Sequence, residues 1–268
     1  MIPFSKVQAT GNDFAVFDSR NISLRQFSPE KIRFLCDRHF GIGADGLIFI
    51  ETENSGTMRM VYFNADGSEG EMCGNGLRAA ARYAQQEGLF KENGVFGFEA
   101  RDGFHQLWFN KDRTISVEIL ADSGKADAVD LGELPIPENL SLLGYFNSGV
   151  PHLILTTEMP IDEVPLLEFA PALRRHPAFK NGTNVNIIQP VDEECVKVRT
   201  YERGVEAETL SCGTGVTASA LLIWQKYHHL PDTLQMQTKG GILKVSRQKS
   251  RIILTGPATI VFVGKIQF

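Results

Sequence analysis

None of the four cysteines, Cys36, Cys73, Cys195 and Cys212, belongs to a C-x-x-C pair, so a structural zinc site or a thioredoxin-type motif has no sequence support. Four thiols in 268 residues also make no disulfide scaffold. Positive charge is scarce: 27 Lys and Arg stand against 32 Asp and Glu, for a net charge of −5, which argues against a nucleic-acid binder working through a basic face. Long apolar runs are missing too. The strongest, ALLIW at 220–224 and ATIVFV at 258–263, fall far short of the roughly 20 residues a membrane-spanning helix needs, so no membrane partner is expected. The opening MIPFSKVQATGNDF lacks a charged segment followed by an apolar one, and the expectation is a cytoplasmic protein without a secretory signal. No Walker pattern occurs, and GIGADG at 41–46 lacks the final glycine spacing of a dinucleotide loop.

What remains is ordinary globular composition, 43% hydrophobic and 22% charged, enough for one large domain or two modest ones. Most of it reads as short strands joined by Gly-containing turns, which favours antiparallel hairpins over βαβ crossovers. Examples are HLILTTE, TNVNIIQPV, CVKVRTYERG and TLQMQTKGGILKVSR. Three helices stand out. One lies near 28–39, with Ser28 as N-cap, Pro29 in the first position and Ile32, Leu35, Cys36 and His39 on one face. The second runs from about Asn75 to Gln86. The third runs from about Thr214 to Lys226 and is apolar nearly all round, as a buried helix is.

The last two helices look like copies. MCGNGLRAAARYAQ at 72–85 aligns with SCGTGVTASALLIW at 211–224, about half the chain later, and each follows an acidic stretch. The reading is an α+β protein of two pseudo-symmetric lobes, each a curved, mainly antiparallel sheet around a central helix. The expected lobes are residues 1–120 with Cys73, completed by a C-terminal strand at 260–268, and residues 121–259 with Cys212. The turn-rich stretch between about 117 and 140 marks the boundary.

A cysteine at a helix start meets unpaired N–H groups and the positive end of the macrodipole, both of which favour thiolate. The same N–H groups bind carboxylate or phosphate, and the glycines allow close approach. Two such starts facing one carbon suit inversion there: one thiolate removes a proton and the other thiol delivers one to the opposite face. The α-carbon of an amino acid fits, and no cofactor or metal is demanded.

These motifs carry a family resemblance. TGNDF at 10–14, DRHFGIGADGL at 37–47, FNADGSEGEMCGNGLR at 63–78, GVPH at 149–152, GTNVN at 182–186 and YERGVEAETLSCGTG at 201–215 resemble diaminopimelate epimerase nearly end to end. The resemblance implies a PLP-independent enzyme that interconverts LL-2,6-diaminopimelate and the meso form for lysine and peptidoglycan synthesis, and it makes a homodimer plausible. Cys73 and Cys212 match its acid/base pair. Gly74, Asn75, Gly213 and Thr214 match the helix starts that bind the reacting carboxylate. Asn12, Asn64, Asn184, Glu202 and Arg203 match pocket residues, and His152 and Glu202 match residues that tune the thiols. Departures bear on the side-chain pocket: Val150 stands where many members have Asn, Gly46 where some have Gln, and the segment from Glu202 to Cys212 is one residue longer than the commonest form. They motivate an alternative, a racemase or epimerase of the same fold with another amino-acid substrate.

Bland readings stand beside these. Cys36 and Cys195 read as structural. On pattern alone His152 is a satisfied core histidine, Asn12 and Asn64 are turn residues, and Arg203 pairs with Glu202 or Glu206. Asp66 reads as a turn residue, and Arg78 with Arg82 as a solvated helical stripe.

Overall fold

The computed structural model describes residues 1–52, 57–70, 72–90, 96–120, 129–132 and 134–267; residues 121–128 and 133 of the turn-rich boundary stretch lie outside them. The chain divides into two compact units, Met1–Glu118 with Thr255–Phe268, and Ile119–Leu254.

The first unit holds strands β1 (Ile2–Ala9), β2 (Asn12–Asp18), β3 (Gly46–Thr52), β4 (Met58–Asn64), β5 (Gly97–Ala100), β6 (Gly103–Phe109) and β7 (Ile115–Ile119), with β16 (Thr259–Ile266) from the chain end. Its helices are α1 (Pro29–Cys36) and α2 (Gly74–Gln86). Strand order is β16-β1-β2-β3-β4-β5-β6-β7. The second unit holds β8 (Leu140–Asn147), β9 (Pro151–Thr157), β10 (Asn184–Pro190), β11 (Cys195–Glu202), β12 (Ala207–Thr209), β13 (Thr233–Thr238), β14 (Gly241–Gln248) and β15 (Arg251–Gly256), with helices α3 (Leu166–Arg174) and α4 (Gly213–Lys226). Its order is β8-β9-β10-β11-β13-β14-β15, with β12 on β11.

The repeat seen in the cysteine motifs extends to strand pairing. From β1 to β6 the pairs run antiparallel, parallel, antiparallel, parallel, antiparallel. From β8 through β14, leaving out β12, the same alternation recurs. Each parallel pair is bridged by a helix: β2-α1-β3, β4-α2-β5, β9-α3-β10 and β11-α4-β13. The hairpin expectation is corrected to this extent, because a parallel pair needs a crossover that no tight turn provides. The fold is α+β and sheet-rich, as the sequence implies.

α1 begins as expected: Ser28 Oγ accepts from Lys31 N–H at 3.3 Å and Pro29 follows. It stops at Cys36, short of His39, because Asp37 accepts from the N–H groups of His39 and Phe40 and turns the chain. α3 escaped the sequence reading because Pro171 lies inside it, yet Leu166, Ala170 and Leu173 bury one face under β10 and β11. α2 packs on β1, β2, β3, β4 and β16, and its run of Ala79, Ala80 and Ala81 is fully buried. Arg78 is buried on that helix with 0% exposure, which corrects the solvated-stripe reading; Arg82 is half-buried and donates to the Ala258 carbonyl at 2.9 Å.

The core under α1 is aromatic. Phe49 stacks on Phe17 at 5.3 Å between centroids and meets Phe27 edge-on at 4.7 Å. Phe49→Ala is expected to cost about 3–5 kcal/mol of stability, read by urea unfolding. A loss below about 1 kcal/mol would contradict this packing.

Candidate active site

Both cysteine motifs fold as thiol-capped helix starts. Cys73 is the extended N-cap of α2, and its Sγ accepts from Gly76 N–H at 3.2 Å. Cys212 is the extended N-cap of α4, and its Sγ accepts from Gly215 N–H at 3.4 Å. The thiol thus takes the place of the Ser or Asp oxygen that usually meets this orphan N–H. The second glycine of each motif has a steric reason. A Cβ on Gly215 would lie 2.4 Å from Asn186 Nδ2, and one on Gly76 would lie 3.3 Å from Cys73 Cβ.

In the first unit, Asn12 stands beside the Cys73 thiol, with Oδ1 at 3.9 Å from Sγ. Its amide orientation is set from behind, since Nδ2 donates to Asp45 Oδ2 at 2.7 Å. Asn75 Nδ2 donates to the same Asn12 Oδ1 at 3.3 Å, while Arg78 donates to Asn75 Oδ1 at 2.7 Å. Gly74, first in α2, gives its carbonyl to Arg78 at 3.2 Å. Asn64 Nδ2 donates to Ser68 Oγ at 3.1 Å in the turn that Asp66 also holds. At Gly46 a Cβ would meet the Phe63 carbonyl at 2.4 Å, so the backbone here leaves no room for a side chain.

In the second unit, His152 is fully buried in a network that defines its tautomer. Asn186 Nδ2 donates to Thr200 Oγ1 at 2.8 Å, leaving Asn186 Oδ1 to accept from His152 Nδ1–H at 2.8 Å. His152 Nε2 is therefore the acceptor, facing Thr214 Oγ1 at 3.0 Å and Asn184 Nδ2 at 3.4 Å. The Thr214 hydroxyl donates to the imidazole, and its lone pair faces Cys212 Sγ at 3.3 Å. His152 thus reaches the thiol through Thr214. Burial holds the imidazole at about 4, against an ordinary 6.5, so it is neutral near pH 7.

Cys212 departs from the expectation that a helix start lowers a thiol. It is 7% exposed, and burial pushes it well above the usual 9; the Glu202 carboxylate raises it further, against the hydrogen bond from Gly215 N–H. Desolvation of the thiolate outweighs the macrodipole here. Glu202 ends β11 and accepts from Thr209 Oγ1 at 2.7 Å. Asn184 Oδ1 accepts from Arg203 N–H at 2.7 Å, and Arg203 Nη1 donates to the Asn181 carbonyl at 3.1 Å. Glu206 is taken by Arg174 at 2.8 Å and Arg175 at 2.9 Å. Gly213 opens α4, and its carbonyl accepts from Thr217 Oγ1 at 2.8 Å. Half-buried Val150 precedes β9, next to fully buried Ser148, whose hydroxyl donates to the Thr214 carbonyl at 2.8 Å.

Sequence reasoning passed over Arg78, Asp45, Ser148 and Asn186. Asn186 and Asp45 lie inside motifs already singled out, and their signal was their place within two residues of Asn184 and Gly46. Cys36 is buried and pushed up to about 12, and Cys195 is half-buried away from both motifs, in accord with structural roles. Among the described residues no cluster of His, Cys, Asp and Glu is arranged to hold a metal, and no helix is long and apolar enough to cross a membrane.

The fold has solved counterparts. A phenazine biosynthesis protein of the PhzF family from Enterococcus faecalis superposes with a TM-score of 0.72 at 16% identity, over 100% of this chain and 99% of that one. A hydroxyproline epimerase from Agrobacterium vitis gives 0.71 at 13% identity, over 98% and 91%. The architecture is thus shared by isomerases and phenazine-pathway proteins. Sequence narrows the class. The diaminopimelate epimerase family model matches residues 4–126 and 144–261. The diaminopimelate epimerase of Aquifex aeolicus is 36% identical, over 98% of this chain and 97% of its own length. That of Archaeoglobus fulgidus is also 36% identical, over 98% and 95%. The chain belongs to the diaminopimelate epimerase family.

The buried neutral histidine carries a stability signature. Its folded pKa lies below its unfolded value, so its contribution is complete above about pH 6.5 and is lost as pH falls toward 4. The span corresponds to roughly 3 kcal/mol. Urea unfolding from pH 7.5 to 4.5 is expected to show a steeper loss for the wild type than for His152→Gln. Parallel curves would contradict a neutral, desolvated imidazole.

Proposed function

We propose that the chain interconverts LL- and meso-2,6-diaminopimelate by two-base proton transfer without PLP, in the cytoplasm, on the route to lysine and peptidoglycan precursors. The observation that carries this reading is the pair of thiol-capped helix starts, Cys73 on α2 and Cys212 on α4, in a chain of this family.

One thiolate takes the α-proton, and the electron pair of the C–H bond passes into the carboxylate, which becomes an enediolate. N–H groups at the starts of both helices, at Gly74, Asn75, Gly213 and Thr214, stabilise that charge. The other thiol gives its proton to the opposite face, inverting the centre, and the two sulfurs end with exchanged protonation. The reverse reaction swaps their roles. Cys212, held as a thiol by burial and by Glu202, suits the acid when the resting enzyme meets substrate. His152 acts through Thr214 to orient that proton. Asn12, Asn64, Asn184, Glu202 and Arg203 line the pocket in this reading, with the Arg203 guanidinium as the fork for the distal carboxylate.

The test is incubation of the reduced enzyme with LL-diaminopimelate in D₂O. Inversion with solvent deuterium entering one α-centre is expected, and Cys73→Ala and Cys212→Ala should each lower turnover by at least about 10³-fold. Absence of both exchange and inversion in folded, reduced enzyme would remove this substrate, and a panel of other amino acids would then test the reading that Val150 motivates. The chain is also proposed to be a homodimer. In support, the edge strand β16 exposes Val261 at 57% and Val263 at 65%. Light scattering is expected to give about twice the 29.7 kDa chain mass, and a monomer would contradict it.

A further inference from the structure

Arg78 is the largest fully buried side chain, and among the described residues no carboxylate lies within ion-pair distance of it. Its Nη2 donates to Thr10 Oγ1 at 3.0 Å and to Asn75 Oδ1 at 2.7 Å, its Nη1 donates to Gly74 O, and its Nε has no partner. A buried charge left unpaired is costly, and such a group persists where something else gains from it. The sharpest contrast is within the chain itself. The residue five places after Cys212 is Thr217, whose hydroxyl donates to Gly213 O at 2.8 Å. Arg78, five places after Cys73, serves the matching carbonyl of Gly74. One helix start is backed by a guanidinium and the other by a neutral hydroxyl, with the Glu202 carboxylate acting on Cys212.

We propose that Arg78 is the positioning residue of the Cys73 half-site: it turns the Asn75 amide so that Nδ2 faces Asn12, and it places an unneutralised positive charge behind the Cys73 helix start. Two amides, buried Asn75 and half-buried Asn12, are thereby locked from opposite ends. Asp45 takes the Nδ2 of Asn12 and so leaves its Oδ1 toward the thiol. Arg78 takes the Oδ1 of Asn75 and leaves its Nδ2 as a donor. Neither amide can flip without stranding a charged partner. The charge favours the thiolate of Cys73 over that of Cys212, so the two thiols are unequal before substrate arrives.

Other charges on elements packed against α2 are neutralised or solvated. Lys6 of β1 pairs with Asp13 of β2 at 2.6 Å, and Arg38 spans Asp13 and Asp45 at 2.8 and 2.7 Å. Asp18 of β2 pairs with Arg20 at 2.5 Å, and Glu51 of β3 with Arg59 of β4 at 3.7 Å. Lys265 of β16 is exposed. On α2 itself, half-buried Arg82 lies one turn further from Cys73 and donates to the carbonyls of Ala258 and Arg113.

The proposal rests on Cys73 being an acid/base residue, but the test of its charge role does not depend on turnover. The pH profile of iodoacetamide modification is followed at Cys73 and Cys212 separately, by peptide mass spectrometry. In Arg78→Met the Cys73 midpoint is expected to rise by at least about one pH unit, with about tenfold slower modification at neutral pH, while the Cys212 profile stays in place. An unmoved Cys73 profile in a folded Arg78→Met protein overturns the proposal. Arg78→Lys keeps a charge but not the fork, so it serves also if Arg78→Met fails to fold. Its Cys73 midpoint is expected to stay near wild type while kcat falls more than KM changes. Wild-type kcat in Arg78→Lys would overturn the positioning role, and a midpoint shift as large as that expected for Met would overturn the charge role. If the profiles shift as expected but diaminopimelate is not epimerised, the substrate reading fails, the charge role of Arg78 stands, and its positioning role is read from kcat on the amino acid the enzyme does turn over.

Discussion

A thiol can cap a helix only where the chain lets it reach the third N–H, and both functional motifs depend on that contact. Gly76 and Gly215 supply the N–H, and a Cβ at Gly215 would run into Asn186. The contact ties each sulfur to the helix macrodipole and to the remaining unpaired N–H groups of the first turn. It also explains why α2 and α4 are the buried helices. In the proposed reaction each helix start holds a desolvated anion and needs its body shielded, and small residues such as Ala79 to Ala81 let the strands close on α2.

The same contact does not make the two sulfurs equivalent. Strand pairing and helix placement repeat between the units, whereas the charges behind the thiols do not. Cys212 is surrounded by neutral groups, Thr214 and a desolvated His152, with Glu202 as the charged neighbour. Cys73 has Arg78 behind it and Asn12 in front. The proposed two-base reaction gains from this inequality, because two thiolates or two thiols cannot invert a centre. Repetition of the backbone with divergence of the buried charge is a direct way to obtain it.

The sequence made the helix starts legible because Cys-Gly-x-Gly occurs twice with matching context. It also showed the α+β class, since alternating strands and Gly turns outnumber helical segments. Other features could not be read. α3 contains Pro171, which on local propensity ends a helix, and only burial of Leu166, Ala170 and Leu173 overrides it. Arg78 looks like a surface charge because periodicity places it beside Arg82, and no local rule marks a buried guanidinium without a carboxylate. The rise in the Cys212 pKa is likewise a property of the packed state: the macrodipole is visible in sequence, and the desolvation that exceeds it is not. For Asn64, similarity to the family indicates a pocket residue, while the structure places its amide on Ser68 in the turn after β4.

The account's central claim is that the two helix-start thiols differ in protonation. It is tested most directly by carbon NMR of protein labelled at cysteine Cβ, with Cys73 and Cys212 assigned by single Ala substitutions and followed from pH 5 to 10. The account predicts that Cys212 keeps the chemical shift of a thiol through pH 9 while Cys73 loses its proton first. Coincident titration of the two, or loss of the Cys212 proton before that of Cys73, would contradict it.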